Sequence, residues 1–343
     1  MHHPVATGNP YQALLFDATR HAGWFCHGLP GGVVQLLRFV LARTPCTVLH
    51  LHWIGEPVAG PSLAGALARL LVFHLALAIW RLRGRAIVWT VHNLRDHGGR
   101  RPALDLLNAR LVARLASRLI VHGASAAGTV AATFGVPGHR IVVIHHGHYG
   151  SVVTPRPLDT AHAGTRLLFF GQMRGYKGLP RLLQAFAQIA GPHQLRLAGS
   201  LSDPALAHTL QHLAGHDGRV SLHPGHQSDA ALADLLAWCD AVVLPYDDVF
   251  TSGSLLMAMS AGRATVAPRA GLVTDYADGD THFLYDPRTA DGLLQALQCA
   301  VTAPDLAARG ARAAQQAHQF DWATIGRQTA AVYHDAAGRQ LQA

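Results

Sequence analysis

Of the 28 lysines and arginines in this 343-residue chain, only one is a lysine, Lys177. Against an arginine background, one compact ammonium points to a task that a flat guanidinium fork performs poorly. Its neighbours say which task. An apolar run, Leu167 to Phe170, reaches Gly171; a loop with Arg174, Gly175 and Lys177 follows; Gly178 precedes an amphipathic stretch beginning near Leu179. A strand, a cationic glycine-bearing loop and a helix start bring together free backbone amides, the positive end of a helix dipole and mobile cations, which makes an anion site. A second such place lies at Thr251, Ser252 and Gly253, where a hydroxyl and the first amides of a helix would cradle another anionic group, just after Tyr246, Asp247 and Asp248.

Carboxylates and imidazoles gather in the other half of the chain. Glu56 follows the run Thr47–Trp53; His92, Asn93, Asp96 and His97 close the run that starts at Ala86; His146, Gly147, His148 and Tyr149 close the run that starts at Arg140. Such groups, set opposite two cationic or helix-start sites, suit transfer of a group from a diphosphate-activated donor. Group transfer to an acceptor hydroxyl calls for a general base on the acceptor side, opposite the leaving diphosphate. The candidates are Glu56, His92, Asp96 and His97. Glu56 comes first, because a carboxylate past that strand points inward from the acceptor half, while His92 reads as positioning donor or acceptor. Gly171, Arg174, Lys177, Tyr246, Thr251, Ser252, Gly253, His146 and His148 make up the donor side.

Strands and helices must place these groups. Near-continuous apolar runs at Thr47–Trp53, Ala86–His92, Arg118–Gly123 and Arg140–His146 alternate with helical stretches near 33–43, 63–82, 103–116 and 124–134. That alternation specifies a parallel sheet covered on both faces. The start is open: Asn9 and Pro10 read as a helix opening, or Ala13–Phe16 is a first strand. A proline-containing polar stretch, 151–164, marks a boundary, and the design then repeats, with strands at 166–171, 194–199, 220–225, 241–246 and 264–268. The fold class is therefore α/β, two Rossmann-like, doubly wound parallel-sheet domains over 1–155 and 164–317, with the carboxyl ends of both sheets expected to face a cleft.

Composition narrows the partners. Half of the residues are apolar and 14% are charged, and the net charge of +8 favours acidic partners such as nucleotide phosphates or a phospholipid surface. Nucleic acid is set aside, since the arginines are dispersed and no recognition motif is present. Four separated cysteines without a CxxC pair, and an N-terminus without an apolar leader, point to a reduced cytoplasmic protein. His50 with His52, or His145, His146 and His148, could chelate, but no HExxH or Cys/His framework accompanies them, so no metal is expected. Gly28, Gly31 and Gly32 have the wrong spacing for a dinucleotide fingerprint, which excludes an oxidoreductase of that kind. The apolar stretch 63–85 has the length of a bilayer span but is interrupted by Arg69 and His74. It reads either as a domain helix or, with Arg81, Arg83 and Arg85 after Trp80, as an interfacial helix on anionic lipid, on the inner face of the cell membrane.

These segments resemble the GT-B glycosyltransferases. The 169–178 loop is similar to their diphosphate loop, 240–268 to their donor-binding strand–helix–strand segment, and 320–333 to the closing helix that crosses back to the first domain, here 318–343. Within GT-B the motifs VLHLHW, TVHNLRDH, HHGHY, GYKG, LPY and TSG, together with the tail, resemble the xanthan-type β-1,4-mannosyltransferase family. The resemblance implies an inverting, metal-independent hexosyltransferase without a cofactor, moving mannose from GDP-mannose to a lipid-linked glycan in exopolysaccharide assembly. One departure bears on mechanism. Where retaining GT-B enzymes of the large family 4 place two glutamates, this chain has Val249 and Met257, which is compatible with inversion. Another nucleotide sugar with a soluble acceptor, or a non-transferring epimerase or binding subunit, are the alternatives.

Overall fold

The computed structural model describes residues 1–6, 10–94, 101–159, 161–247, 250 and 252–338. The chain divides into two compact units, Met1–His146 with Asp321–Ala343, and Gly147–Phe320. The division after His146 falls just ahead of the 151–164 stretch expected as the boundary.

The first unit holds five parallel strands adjacent in sequence order: β1 (His2–His3), β2 (Val48–Leu51), β3 (Ala86–Thr90), β4 (Arg118–Val121) and β5 (Ile141–Val143). Helices α1 (Pro10–His21), α2 (Val33–Leu41), α3 (Leu63–Leu82), α4 (Pro102–Leu115) and α5 (Ala124–Phe134) connect them. Every position of β2, β3 and β4 is buried, as covering both faces demands. On one face Val48, Val88 and Ile120 pack with Tyr11 and Leu15 of α1. On the other, Trp89 meets Phe134 with ring centroids 5.2 Å apart.

The open question at the N-terminus is answered. Ala13–Phe16 lies inside α1 and is no strand, while His2 and His3 form the edge strand, paired with His50 and Leu51. The helix expected over 33–43 stops at Leu41, and of the run expected over 140–146 only Ile141–Val143 is strand.

The second unit holds β6 (Arg166–Phe170), β7 (Gln194–Gly199), β8 (Val220–Pro224), β9 (Ala241–Val243), β10 (Ala264–Pro268) and β11 (Phe283–Tyr285). Helices α6 (Leu179–Phe186), α7 (Pro204–Gly215), α8 (Asp229–Trp238), α9 (Gly253–Ser260), α10 (Val273–Tyr276), α11 (Gly292–Thr302) and α12 (Leu306–His318) link and follow them. The sheet is parallel, in the order β8-β7-β6-β9-β10-β11. The chain starts in the middle, at β6, builds one side, then returns to build the other from β9. Loops leaving the carboxyl ends of β6 and β9 therefore diverge over the switch point, where α/β sheets bind ligands.

The last helix, α13 (Trp322–Gly338), belongs to the first unit. Its Ile325, Val332, Tyr333 and Ala336 complete the face occupied by α1. At Gly326 the two helices approach so closely that a Cβ would lie 2.4 Å from the Ala18 carbonyl oxygen.

Candidate active site

In the second unit the two loops at the switch point are tied together. After β6 the chain passes Gly171 and Arg174 and makes a single 3-10 turn, Gly175–Lys177. Gly178 closes the turn with φ +65°, and a Cβ there would sit 2.0 Å from the Pro245 carbonyl oxygen, so only glycine fits. The loop after β9 donates from Asp247 N to Tyr176 O at 2.9 Å, and Arg181 pairs with Asp247 at 2.8 Å. This stitching carries Lys177 over Tyr246, its Nζ 3.7 Å from the ring centroid. The buried phenol thus forms a π-face platform that holds the ammonium over the loop.

Ser252 opens α9, and its role differs in part from the expectation. Its Oγ accepts from Leu255 N at 3.1 Å and lies 3.5 Å from Tyr246 Oη, so the hydroxyl caps the helix. The donors left open at this helix start are the amides of Gly253 and Ser254, which make no hydrogen bond among the described residues. Ser254 was not singled out from sequence; its Oγ would lie 3.4 Å from a Cβ on Gly171. Tyr149 also belongs here, its Oη 3.2 Å from where a Cβ on Gly253 would be, and its backbone N donating to Ser260 Oγ at 2.8 Å. His148 donates its backbone N–H to Phe320 O at 3.0 Å. Thr251 lies outside the described residues, as do Asp248 and Val249; Met257 is buried within α9.

The first unit carries a cavity of about 310 Å³ beyond the carboxyl ends of β2 and β3, lined in part by His52, Trp53, Glu56, His92, Asp105 and Asn108. Glu56 starts a short 3-10 turn, and its Oε2 accepts from Gly32 N, the N-cap of α2, at 2.7 Å. One carboxylate oxygen of the leading base candidate is thus engaged at a helix N-terminus. His92 stacks on Trp53, with centroids 4.6 Å apart and planes at 14°. Asp105 and Asn108, on α4, are buried wall residues that an amphipathic helix pattern did not reveal. Asn108 donates to the Ile54 carbonyl at 2.7 Å and so fixes the loop that carries Glu56. Asp96 and His97 lie outside the described residues.

His146 and His148, grouped together in the sequence, fall in different units. His146 belongs to a row with a simple origin. His50, His52, His92, His122 and His146 lie at even offsets from Val48, Val88, Ile120 and Ile144, the inward positions of the α1 face. Tyr11 of α1 covers four of them, its ring centroid 6.0, 5.2, 5.5 and 4.7 Å from those of His52, His92, His122 and His146. Burial drives these imidazoles toward the neutral form: His122 is held at about 4, and His50, His52 and His92 well below the usual histidine range. His2, His50 and His52 bring ring nitrogens within 4.8 Å of one another. Those nitrogens are engaged in hydrogen bonds to one another, to Tyr333, to Thr90 and to His92, so the cluster reads as a polar core network.

Two parallel-sheet units, with a lysine-bearing loop at the switch point of the second, define a GT-B glycosyltransferase. The chain is 31% identical over 98% of its length to the GDP-mannose:glycolipid 4-beta-D-mannosyltransferase of Xanthomonas campestris pv. campestris, covering 91% of that protein, and it belongs to that glycosyltransferase family. Residues 164–302 match the family described as glycosyl transferases group 1. Among solved structures, sucrose-phosphate synthase from Thermosynechococcus elongatus superposes with a TM-score of 0.73 at 19% identity, covering 97% of this chain and 94% of that one. Anabaena HepE in complex with UDP and glucose gives 0.72 at 18% identity, covering 97% and 98%. At these identities the likeness is one of fold.

Proposed function

We propose that this glycosyltransferase inverts configuration while moving mannose from GDP-mannose to a lipid-linked glycan in bacterial exopolysaccharide assembly. The observation that carries this is the full-length match to a glycolipid mannosyltransferase. Local geometry supports it. Lys177, Arg174 and the amides of Gly253 and Ser254 offer the charge and donors that a departing diphosphate needs, and no metal or cofactor is assigned a role. The cavity of the first unit takes the acceptor, with Glu56 as its first base candidate and His92 in the same wall. Met257 in place of a family-4 glutamate fits inversion.

A lipid-linked acceptor also fits α3. The helix is long and apolar enough to cross a membrane, yet only 33% of its most apolar stretch is buried, and Leu63, Leu67, Leu71 and Leu75 form an exposed stripe at four-residue steps. The arginines that follow are largely occupied: Arg81 donates to Ser117 Oγ, Arg83 to Val40 O and Arg85 to Thr44 O. The leucine stripe, more than the arginines, is the surface suited to peripheral attachment on the inner face of the membrane.

A thermal-shift titration tests the donor. GDP and GDP-mannose should raise the melting temperature while UDP-glucose, UDP and ADP do not, since a ligand of the native state stabilises it by mass action. Stabilisation by uridine nucleotides alone would remove GDP-mannose, and radiolabelled mannose that never enters a lipid extract would remove the acceptor class.

A further inference from the structure

The buried histidines have a direction, set by one helix. Thr19, within α1, has Oγ1 2.8 Å from the Leu15 carbonyl and 3.1 Å from the Phe16 carbonyl. Carbonyls only accept, so the hydroxyl hydrogen goes there. Cys26 Sγ, 3.1 Å from Thr19 Oγ1, must then donate to it. The sulfur is left to accept, and takes the hydrogen of His2 Nε2 at 3.3 Å. Tyr333 Oη, 3.1 Å from the same nitrogen, shares that hydrogen and gives its own to His50 Nδ1 at 2.6 Å, leaving His50 Nε2–H for Thr90 Oγ1 at 2.7 Å. His2 Nδ1 is therefore bare and accepts from His52 Nε2 at 2.8 Å; His52 Nδ1 is bare and accepts from His92 Nε2 at 3.1 Å. In this direction no contact sets two bare acceptors against each other, the hydrogen of His2 Nε2 being shared between Cys26 Sγ and Tyr333 Oη. In the reverse direction a contact of Cys26, with Thr19 or with His2, holds none.

His92 is thereby the tautomer with a bare Nδ1, which has no partner among the described residues, on a ring that lines the cavity. We propose that Thr19, Cys26, His2 and His52 are positioning residues that fix His92 as the proton acceptor of the transfer. This rests on the inverting-transferase assignment above. The acceptor O–H bond breaks and its proton passes to His92 Nδ1. The oxygen forms a bond to the anomeric carbon, and the carbon–oxygen bond to the diphosphate breaks with its electron pair leaving on the nucleotide. The imidazolium then returns its proton to water. His92 is faced by His52, His122 and His146, by the rings of Tyr11 and Trp53, and in the cavity wall by Glu56 and Asp105. Burial, with its imidazole neighbours, keeps it neutral at pH 7 and able to accept.

The test is a long-range proton–nitrogen spectrum of protein labelled with ¹⁵N-histidine, with the His92 signals assigned by their loss in His92→Gln. The expected result is protonated Nε2 and bare Nδ1 at pH 7. His52→Phe leaves that N–H facing carbon, which should reverse the tautomer and lower kcat about tenfold with donor KM unchanged. His52→Gln, whose amide oxygen can accept, should restore both. Thr19→Val, which removes the anchor without touching the cavity, should give mixed tautomers even if His52→Phe does not fold. Protonated Nδ1 in the wild-type protein, or a tautomer indifferent to both His52→Phe and Thr19→Val, overturns the proposal. The spectrum needs no substrate, so this outcome is separate from a failure to transfer mannose. His92→Gln with kcat within about threefold of an active wild-type enzyme would remove the base role while leaving the transferase assignment intact.

Discussion

Replacing Lys177 by alanine removes the ammonium held 3.7 Å above the Tyr246 ring. Two consequences can be sized separately. Within the folded protein the loss is a cation–π contact at a partly exposed site, about 0.5–1 kcal/mol, which amounts to a few degrees in melting temperature for a domain of this size. With donor bound, the loss is a charge-assisted hydrogen bond to phosphate, about 1.5–3 kcal/mol. At 1.4 kcal/mol per factor of ten, kcat/KM for the nucleotide sugar should fall roughly ten- to a hundredfold. Lys177→Arg should recover only part of this, because a planar fork does not occupy the place of a point charge on that ring. The assay is initial-rate turnover of GDP-mannose beside a melting curve. A loss below threefold would refute a phosphate role, and a melting temperature lowered by more than about 8 °C would assign Lys177 to the fold.

Acid should destabilise both units. His122 and His282 titrate near 4 when folded, chiefly because of burial, against about 6.5 unfolded. Their contribution is fully present above pH 6.5 and is lost as pH falls toward 4, by about 1.4 kcal/mol per pH unit and about 3 kcal/mol each, so calorimetry at pH 7.5 and 5 that shows no fall in melting temperature would contradict their burial as neutral rings. Gly326→Ala should cost about 1–3 kcal/mol, since its Cβ meets the backbone of α1, whereas Gly338→Ala, with nothing near its Cβ, should be close to neutral in a urea titration. Leu67→Glu with Leu71→Glu should abolish cosedimentation with anionic vesicles without lowering the melting temperature by more than about 2 °C, because both side chains are exposed; retained binding would remove the stripe as the contact.

The second unit was the more legible. Its strands are apolar runs ended by glycine or proline, and the lysine-bearing loop stands out because side-chain chemistry and turn chemistry coincide at Gly175–Gly178. The first unit hid more. A two-residue strand of histidines carries no hydrophobic signal, and His2–His3 joins the sheet through backbone bonds and buried neutral rings. Asp105 and Asn108 carry no signal of their own, because one chain does not show which face of a helix lines a cavity. The imidazole row did leave a trace, a histidine recurring at the end of each strand-like run, but His122 in RLIVHG passed as an ordinary strand end. Ser252 carries a second task that a hydroxyl at a helix start does not separate from ligand binding: its oxygen caps the helix.

Because α13 closes the face lined by Tyr11, Val48, Val88 and Ile120, the first unit is discontinuous along the chain, with all of Gly147–Phe320 inserted into it. During synthesis, the second unit can finish while the first still has an open apolar face. The first unit is sealed only when residues beyond Asp321 emerge from the ribosome. A nascent chain stalled before that point would carry one mature half and one sticky half, the kind of species that chaperones retain. A circular permutant beginning at Asp321 would reverse that order.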